Sequence, residues 1–238
     1  MDKNRAAVVI PVYNHEREVA EVIRKAMSLL LPIYVVDDGS TDATYERIRH
    51  IPGITILRHE KNLGKGAALM TGFAAASRRV EWVFTIDADG QHNPEDAWNL
   101  FDVVGIGERP IVVGYRQGMG HRHVPLASRF GRGFSNFWVW ASGGPVLKDT
   151  QSGFRLYPLP EILYLPADAR RYQFEVEVLV RARWAGIPVR EAPVGVTYAP
   201  GKERVSHYRG WVDFCRNAAT FSRLICFRWL VLPFMRAG

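Results

Sequence analysis

The stretch Trp82-Val83-Phe84-Thr85-Ile86-Asp87-Ala88-Asp89-Gly90-Gln91 runs an apolar segment straight into two carboxylates separated by one small residue. The apolar part has the length and character of a buried strand. Residues two apart on an extended chain point to the same side, so Asp87 and Asp89 both project from the strand's end. Paired acids in that position suit a hard divalent cation such as Mg²⁺, which takes oxygen ligands and keeps places for phosphate oxygens and water. The same spacing also occurs in solvated loops, so its meaning depends on its surroundings.

Moving outward, residues 8–12 read as a buried strand, 16–30 as an amphipathic helix and 33–36 as a second buried strand. The alternation continues with a helix after Asp42, a strand at 54–57, a helix over 65–78, the strand at 82–86, a helix after Pro94 and a strand at 111–114. Such a pattern implies an α/β fold with a mostly parallel sheet flanked by helices. Ligands of these sheets gather at the carboxyl ends of the strands. The unusual residues sit there: Pro11-Val12-Tyr13-Asn14 after the first strand, Asp37-Asp38-Gly39-Ser40 after the second, Asp87-Ala88-Asp89 after the fourth. Asn62-Leu63-Gly64-Lys65-Gly66 adds a lysine on a glycine-rich helix entry, without the spacing of a Walker A loop. Together the three strand ends and Lys65 describe a pocket for a nucleoside diphosphate.

With 238 residues and 47% hydrophobic content, the chain can build one sizeable α/β domain with a short appendage. Residues 1–208 are expected to form the catalytic domain and 209–238 a C-terminal helix. The first residues are too short an apolar run, broken by Pro11, for a secretory leader, which favours a cytoplasmic setting. Formal net charge is +7, and from position 202 onward Lys202, Arg204, Arg209, Arg216, Arg223, Arg228 and Arg236 face only Glu203 and Asp213. This excess favours an anionic partner. No zinc finger, basic zipper or RNP pattern points to nucleic acid, leaving a membrane surface.

The ordered motifs Pro-Val-Tyr-Asn, Val-Val-Asp-Asp-Gly-Ser-Thr-Asp, Asn-Leu-Gly-Lys-Gly, Asp-Ala-Asp-Gly-Gln, Gly114-Tyr115-Arg116, Asp149-Thr150-Gln151-Ser152-Gly153-Phe154-Arg155 and Phe174-Glu175 resemble those of family 2 glycosyltransferases of the GT-A fold. Within that family the chain looks like the polyprenol-phosphate (dolichol-phosphate) mannose synthases. The resemblance implies that Pro11, Tyr13, Val35 and Asp37 hold the base and ribose of a nucleotide-diphosphate sugar such as GDP-mannose or UDP-glucose. It implies that Asp87 and Asp89 ligate Mg²⁺ or Mn²⁺ with Gln91 as auxiliary ligand, and that Ala88 lies beside the sugar nucleotide. Arg116, Arg129 and Arg132 become candidates for gripping the diphosphate or a polyprenyl phosphate, because guanidinium binds phosphate through a fork. Asp149 stands where relatives acting on hydroxyl acceptors place a base. For an ionised lipid phosphate it would instead position Arg155 or the acceptor, or simply cap its turn. Two departures are His15 after Tyr-Asn and the block Lys202-Glu203-Arg204-Val205-Ser206-His207, in which His207 offers a phosphate donor or a base.

In the tail, Trp211, Phe214, Ala218, Phe221 and Ile225 recur at helical steps, with Arg216, Thr220 and Arg223 on the other side. Such a helix suits the plane of a membrane surface on the cytoplasmic face, or packing on the domain. Cys215 and Cys226 lie about 16 Å apart along it, too far for a disulfide, and read as buried or lipid-facing thiols. Two other functions share parts of this pattern. A sugar nucleotidyltransferase would carry a glycine-rich signature where Pro-Val-Tyr-Asn stands, and a non-catalytic scaffold would have no reason to keep Asp87, Asp89 and Gln91.

Overall fold

The computed structural model describes residues 5–117, 126–196 and 210–230, with side chains described for 5–117, 131–196 and 215–230. Seven strands form one sheet: β1 (Ala6–Val12), β2 (Ile33–Asp37), β3 (Ile54–Arg58), β4 (Trp82–Thr85), β5 (Ile111–Arg116), β6 (Arg155–Pro158) and β7 (Val189–Val194). Their spatial order is β3-β2-β1-β4-β6-β5-β7. The helices are α1 (Val19–Ala26), α2 (Thr44–Ile48), α3 (Lys65–Ala76), α4 (Ala97–Asp102), α5 (Leu126–Ala141), α6 (Phe174–Trp184) and α7 (Gly210–Leu230).

The expected parallel core is present. β1 pairs in parallel with β2 and β4, with Val9 opposite Tyr34 and Thr85, and β2 pairs in parallel with β3. The exception is β6, inserted antiparallel between β4 and β5, with Phe84 and Val112 both opposite Leu156. Side-chain alternation sorts the strands into two cores. Val8, Ile10, Val35 and Phe84 face one side with α1 and α4, whereas Val9, Val36, Val83 and Val113 face the other with α3 and α6. The first helix is shorter than its pattern suggests, since residues 27–29 tighten into a 3₁₀ turn ending at Leu30, which is left-handed at φ 55°.

The described part of α7 packs on the domain. Phe221 and Leu224 are buried with Val139 of α5 and Val176 and Val180 of α6. Trp138 stacks on Phe221, and Trp184 on Phe227. The expected division of faces shifts accordingly: Thr220 is buried, and Arg223 donates to Glu177 Oε1 at 2.8 Å and to Asp168 at 3.2 Å. Of the expected stripe Phe221 is buried and Ala218 and Ile225 are half-buried, while the side chains of Trp211 and Phe214 lie outside the described residues. Cys215 and Cys226 are exposed rather than buried. Among the described residues no helix is long and apolar enough to cross a membrane.

Candidate active site

The loops after β1 and β2 are stitched together before any ligand arrives. The Asn14 amide donates to Ser40 Oγ, and Asn14 Oδ1 accepts from the Thr41 amide at 2.8 Å. The His15 amide donates to Thr44 Oγ1. Asp37, fully buried, receives the Ser40 amide on Oδ1. Its Oδ2 lies 3.1 Å from Arg58 Nε without the alignment of a hydrogen bond, which leaves acceptor capacity at the strand end.

Asp38, its neighbour, has a function that motif reading alone did not single out. Its carboxylate accepts the amides of Leu63 at 2.9 Å and Gly64 at 2.7 Å, and faces His59 Nδ1 at 2.8 Å. The glycine-rich loop is thereby tied to β2, and Gly64 takes φ +103°, a conformation open to glycine, just before α3 begins.

This anchoring delivers Lys65, the first residue of α3, to the middle of the acids. Its Nζ lies 2.6 Å from Asp87 Oδ1 and 2.7 Å from Glu175 Oε1 on α6. Burial works against the charge on Lys65, but the two carboxylates outweigh it and hold the ammonium well above its usual range. Burial likewise pushes Asp87 up, and Lys65 with its hydrogen bond brings the carboxyl to rest below the ordinary range. Asp89 goes the other way: burial and the charge on Asp87 raise it, outweighing the Gln91 amide on Oδ1 at 3.1 Å and the charges of His92 and Lys65. Gly153 closes the group from β6's side, since a Cβ there would overlap Asp87 Oδ2 and come within 2.7 Å of Lys65 Nζ. His92 was also missed by motif reading. It stacks on Phe154 with ring centroids 5.0 Å apart, and its buried Nδ1 has no hydrogen-bond partner among the described residues. Burial lowers its proton affinity, opposed by Asp87 and Asp89.

On the far side of β6, Arg116 and Asp149 form a closed pair. Arg116 Nε donates to Oδ2 at 2.7 Å and Nη2 to Oδ1 at 3.0 Å, with Asp149 fully buried. Asp149 also accepts the Gln151 amide of its own turn, and among the described residues its side-chain partner is Arg116, while no hydrogen bond joins it to Arg155. The Arg155 guanidinium is buried and donates to the carbonyls of Thr150, Ser152 and Glu175 and to the Tyr157 hydroxyl, so it braces the loop. α5 is bonded to this loop through Ser135 and Thr150 at 2.9 Å and through Asn136, which accepts the Thr150 amide.

The remaining sequence candidates are placed unevenly. Val35 and Ala88 lie in the core and Pro11 is buried in β1, so they can touch a ligand only by backbone or edge. Tyr13 and Gln91 are half-buried near the strand ends, and Arg132 is half-buried on α5. The side chain of Arg129, and His207 with the whole block from 202 to 207, lie outside the described residues. Among those described, no group of three or more His, Cys, Asp or Glu is arranged to hold a metal. The fit to Mg²⁺ or Mn²⁺ rests on two carboxylates, one raised by burial and by its neighbour's charge, with phosphate oxygens to complete the set.

A model of "Glycosyl transferase family 2" matches residues 7–157, which span β1 to β6 and contain every strand-end motif described. A UDP-N-acetylglucosamine–dolichyl-phosphate N-acetylglucosaminyltransferase of Methanococcus voltae is 27% identical over 213 residues, covering 80% of this chain and 85% of that protein. A polyprenol monophosphomannose synthase of Mycolicibacterium smegmatis is 31% identical over 211 residues, covering 81% and 77%. Among solved structures, mannosyl-3-phosphoglycerate synthase of Rubrobacter xylanophilus superposes with a TM-score of 0.65 at 16% identity, covering 94% of this chain and 73% of that one, a likeness of fold. The fold is thus that of GT-A enzymes, and the nucleotidyltransferase and scaffold readings fall away. The chain belongs to glycosyl transferase family 2 and is a glycosyltransferase.

Proposed function

We propose that this enzyme transfers a hexose, with inversion, from a nucleotide-diphosphate sugar to a polyprenyl phosphate or a related lipid at the cytoplasmic face of a membrane. The observation that carries the reading is the cluster of Asp87, Asp89 and Lys65 at the carboxyl end of β4, where an open sheet of this kind receives its ligand. The names of the relatives from M. voltae and M. smegmatis support a lipid-phosphate acceptor.

In this reading Asp37 accepts a hydrogen bond from the base or ribose, with Tyr13, Pro11 and Val35 lining that end. Asp87 and Asp89, with Gln91, would hold Mg²⁺ or Mn²⁺, whose chemistry is to neutralise the diphosphate as it departs. Lys65 sets the charge and orientation of Asp87. A phosphate oxygen of the acceptor attacks the anomeric carbon from the opposite face, the bond from that carbon to the diphosphate oxygen breaks, and the nucleoside diphosphate leaves with the bonding pair. An ionised phosphate carries no proton to remove, so no strong base is needed. The fork of Arg116 on both oxygens of Asp149 favours a positioning role for that acid over a basic one.

Isothermal calorimetry of UDP- and GDP-sugars with Mn²⁺, then with EDTA, tests the donor site. Binding is expected only with metal, because a diphosphate alone meets like charge at Asp87 and Asp89. Equal affinity under both conditions removes the metal assignment.

A further inference from the structure

α7 buries Phe221 and Leu224 against α5 and α6, and other apolar side chains of these helices stay exposed. Exposed aromatic and aliphatic side chains are found on the outer sides of the same two helices that pack together: Phe137 at 54% and Trp140 at 55% exposure on α5, Trp229 at 66% and Leu230 at 68% on α7. Phe137 and Trp140 are one turn apart, with ring centroids separated by 5.8 Å. The two helix ends are pinned to each other by Arg228, which donates from Nη1 to the carbonyl of Ala141 at 2.7 Å and lies over the Trp229 ring at 5.4 Å. Trp140 precedes that carbonyl's residue and Trp229 follows the arginine, so the exposed groups flank one contact.

We propose that this α5–α7 end is a docking face for an anionic bilayer. Charge selects that occupant. α5 contains Arg129 and Arg132 and no acidic residue, and α7 contains Arg216 and Arg228, besides the Arg223 engaged with Glu177 and Asp168, against a single acid of its own, Asp213, in its first turn. Tryptophan beside arginine is the pairing that suits a headgroup region, with the ring at the acyl boundary and the cation at the phosphates. The face is also coupled to the chemistry: α5 is bonded through Ser135 and Asn136 to Thr150, next to the Asp149 that holds Arg116. A membrane on this face therefore lies against the helix that braces the acceptor side of the site. The proposal deepens the lipid-acceptor reading and rests on it, yet the vesicle-binding arm of its test needs no acceptor.

The experiment compares the full chain with a Phe137→Ser/Trp140→Ser/Trp229→Ser variant by sedimentation with phosphatidylglycerol–phosphatidylcholine vesicles. A Tyr164→Ser variant, altered at an exposed side chain outside both helices, is the control. The triple variant is expected to lose vesicle binding by about tenfold or more, and the control to bind like the unaltered chain. Melting temperature and turnover on a water-soluble short-chain polyprenyl phosphate should be unchanged, because the three side chains are exposed. In a Cys215→Ser background, an environment-sensitive dye on Cys226, one turn before Trp229 and Leu230, should shift to the blue on vesicles. Vesicle binding that is equal in the triple variant overturns the proposal. So does a dimer of the unaltered chain that the triple variant dissociates with no vesicle binding in either, which would assign the face to a second copy. If the patch governs binding but polyprenyl phosphate is not glycosylated, docking stands and the acceptor reading falls.

Discussion

The two sides of β6 treat their carboxylates differently. On the β1–β4 side, Asp37 and Asp89 each commit one oxygen to a backbone amide, and Asp87 commits one to Lys65. Each acid is held in place with acceptor capacity left over. On the β5–β7 side, Asp149 gives both oxygens to the Arg116 fork, and Glu177 engages Arg181 and Arg223 on one oxygen and the Ala169 amide on the other. An acid oriented by one contact can take a cation, whereas an acid closed by a fork holds the frame. The contrast predicts that substitutions on the first side cost activity with little stability, and that those on the second do the reverse.

Asp89→Ala should show the largest effect. It removes a half-buried acid that, among the described residues, is hydrogen-bonded only to the Gln91 amide, so transfer is expected to fall on the order of 10²–10³-fold, comparable with loss of one preorganised electrostatic contact. Its melting temperature should stay close to that of the unaltered enzyme, and near-normal turnover would break the comparison at its strongest point. Asp149→Asn should cost about 2–3 kcal/mol in urea unfolding, because a buried partner of Arg116 loses its charge while its amide oxygen still accepts one bond. Its turnover on a lipid phosphate should drop less than about tenfold, since no proton is being removed.

Gly153→Ala sits on the boundary and should be felt on both sides. The added methyl meets Asp87 and Lys65 in a packed site, with an expected loss of about 1–2 kcal/mol from overpacking and weaker donor binding by calorimetry. The smallest effect is a trend with pH. Asp87 is held below its ordinary 3.8, so its contribution to stability is present above that value and lost as pH falls through the lowered one. Lys65 is held above its ordinary 10.5, so its contribution is present below that value and lost as pH rises through the raised one. The stability gap between the enzyme and Lys65→Met should accordingly be level between those limits and narrow in acid. A gap that widens in acid would mean that the pair does not stabilise the fold.

The first side was legible because its chemistry is local. The apolar run ending in Asp87-Ala88-Asp89, and the glycines around Lys65, state strand end and helix start within a few residues of the groups that matter. The second side depends on contacts distant in sequence. β6 is only four residues long, Arg155–Pro158, and it runs antiparallel because both its neighbours do so against it, which no periodicity within it records. The Arg116–Asp149 pair spans 33 positions and the Lys65–Glu175 contact joins two helices, so neither partner's role could be read from spacing. Asp38 had a signal in the sequence, since a second acid beside Asp37 at a buried strand end needs donors, and the glycine-rich loop supplies them. For α7, periodicity gave a helix with an apolar stripe but not the groove between α5 and α6 that takes it.

The central claim is that the enzyme passes a sugar to an anionic lipid phosphate. Its most direct test presents short-chain polyprenyl phosphate and the corresponding polyprenol side by side, with the sugar nucleotide that binds and Mn²⁺, and follows labelled sugar into lipid. The account predicts labelled product from the phosphate, none from the alcohol, and turnover surviving Asp149→Asn. Product from the alcohol alone, abolished by Asp149→Asn, would contradict it and make Asp149 the base.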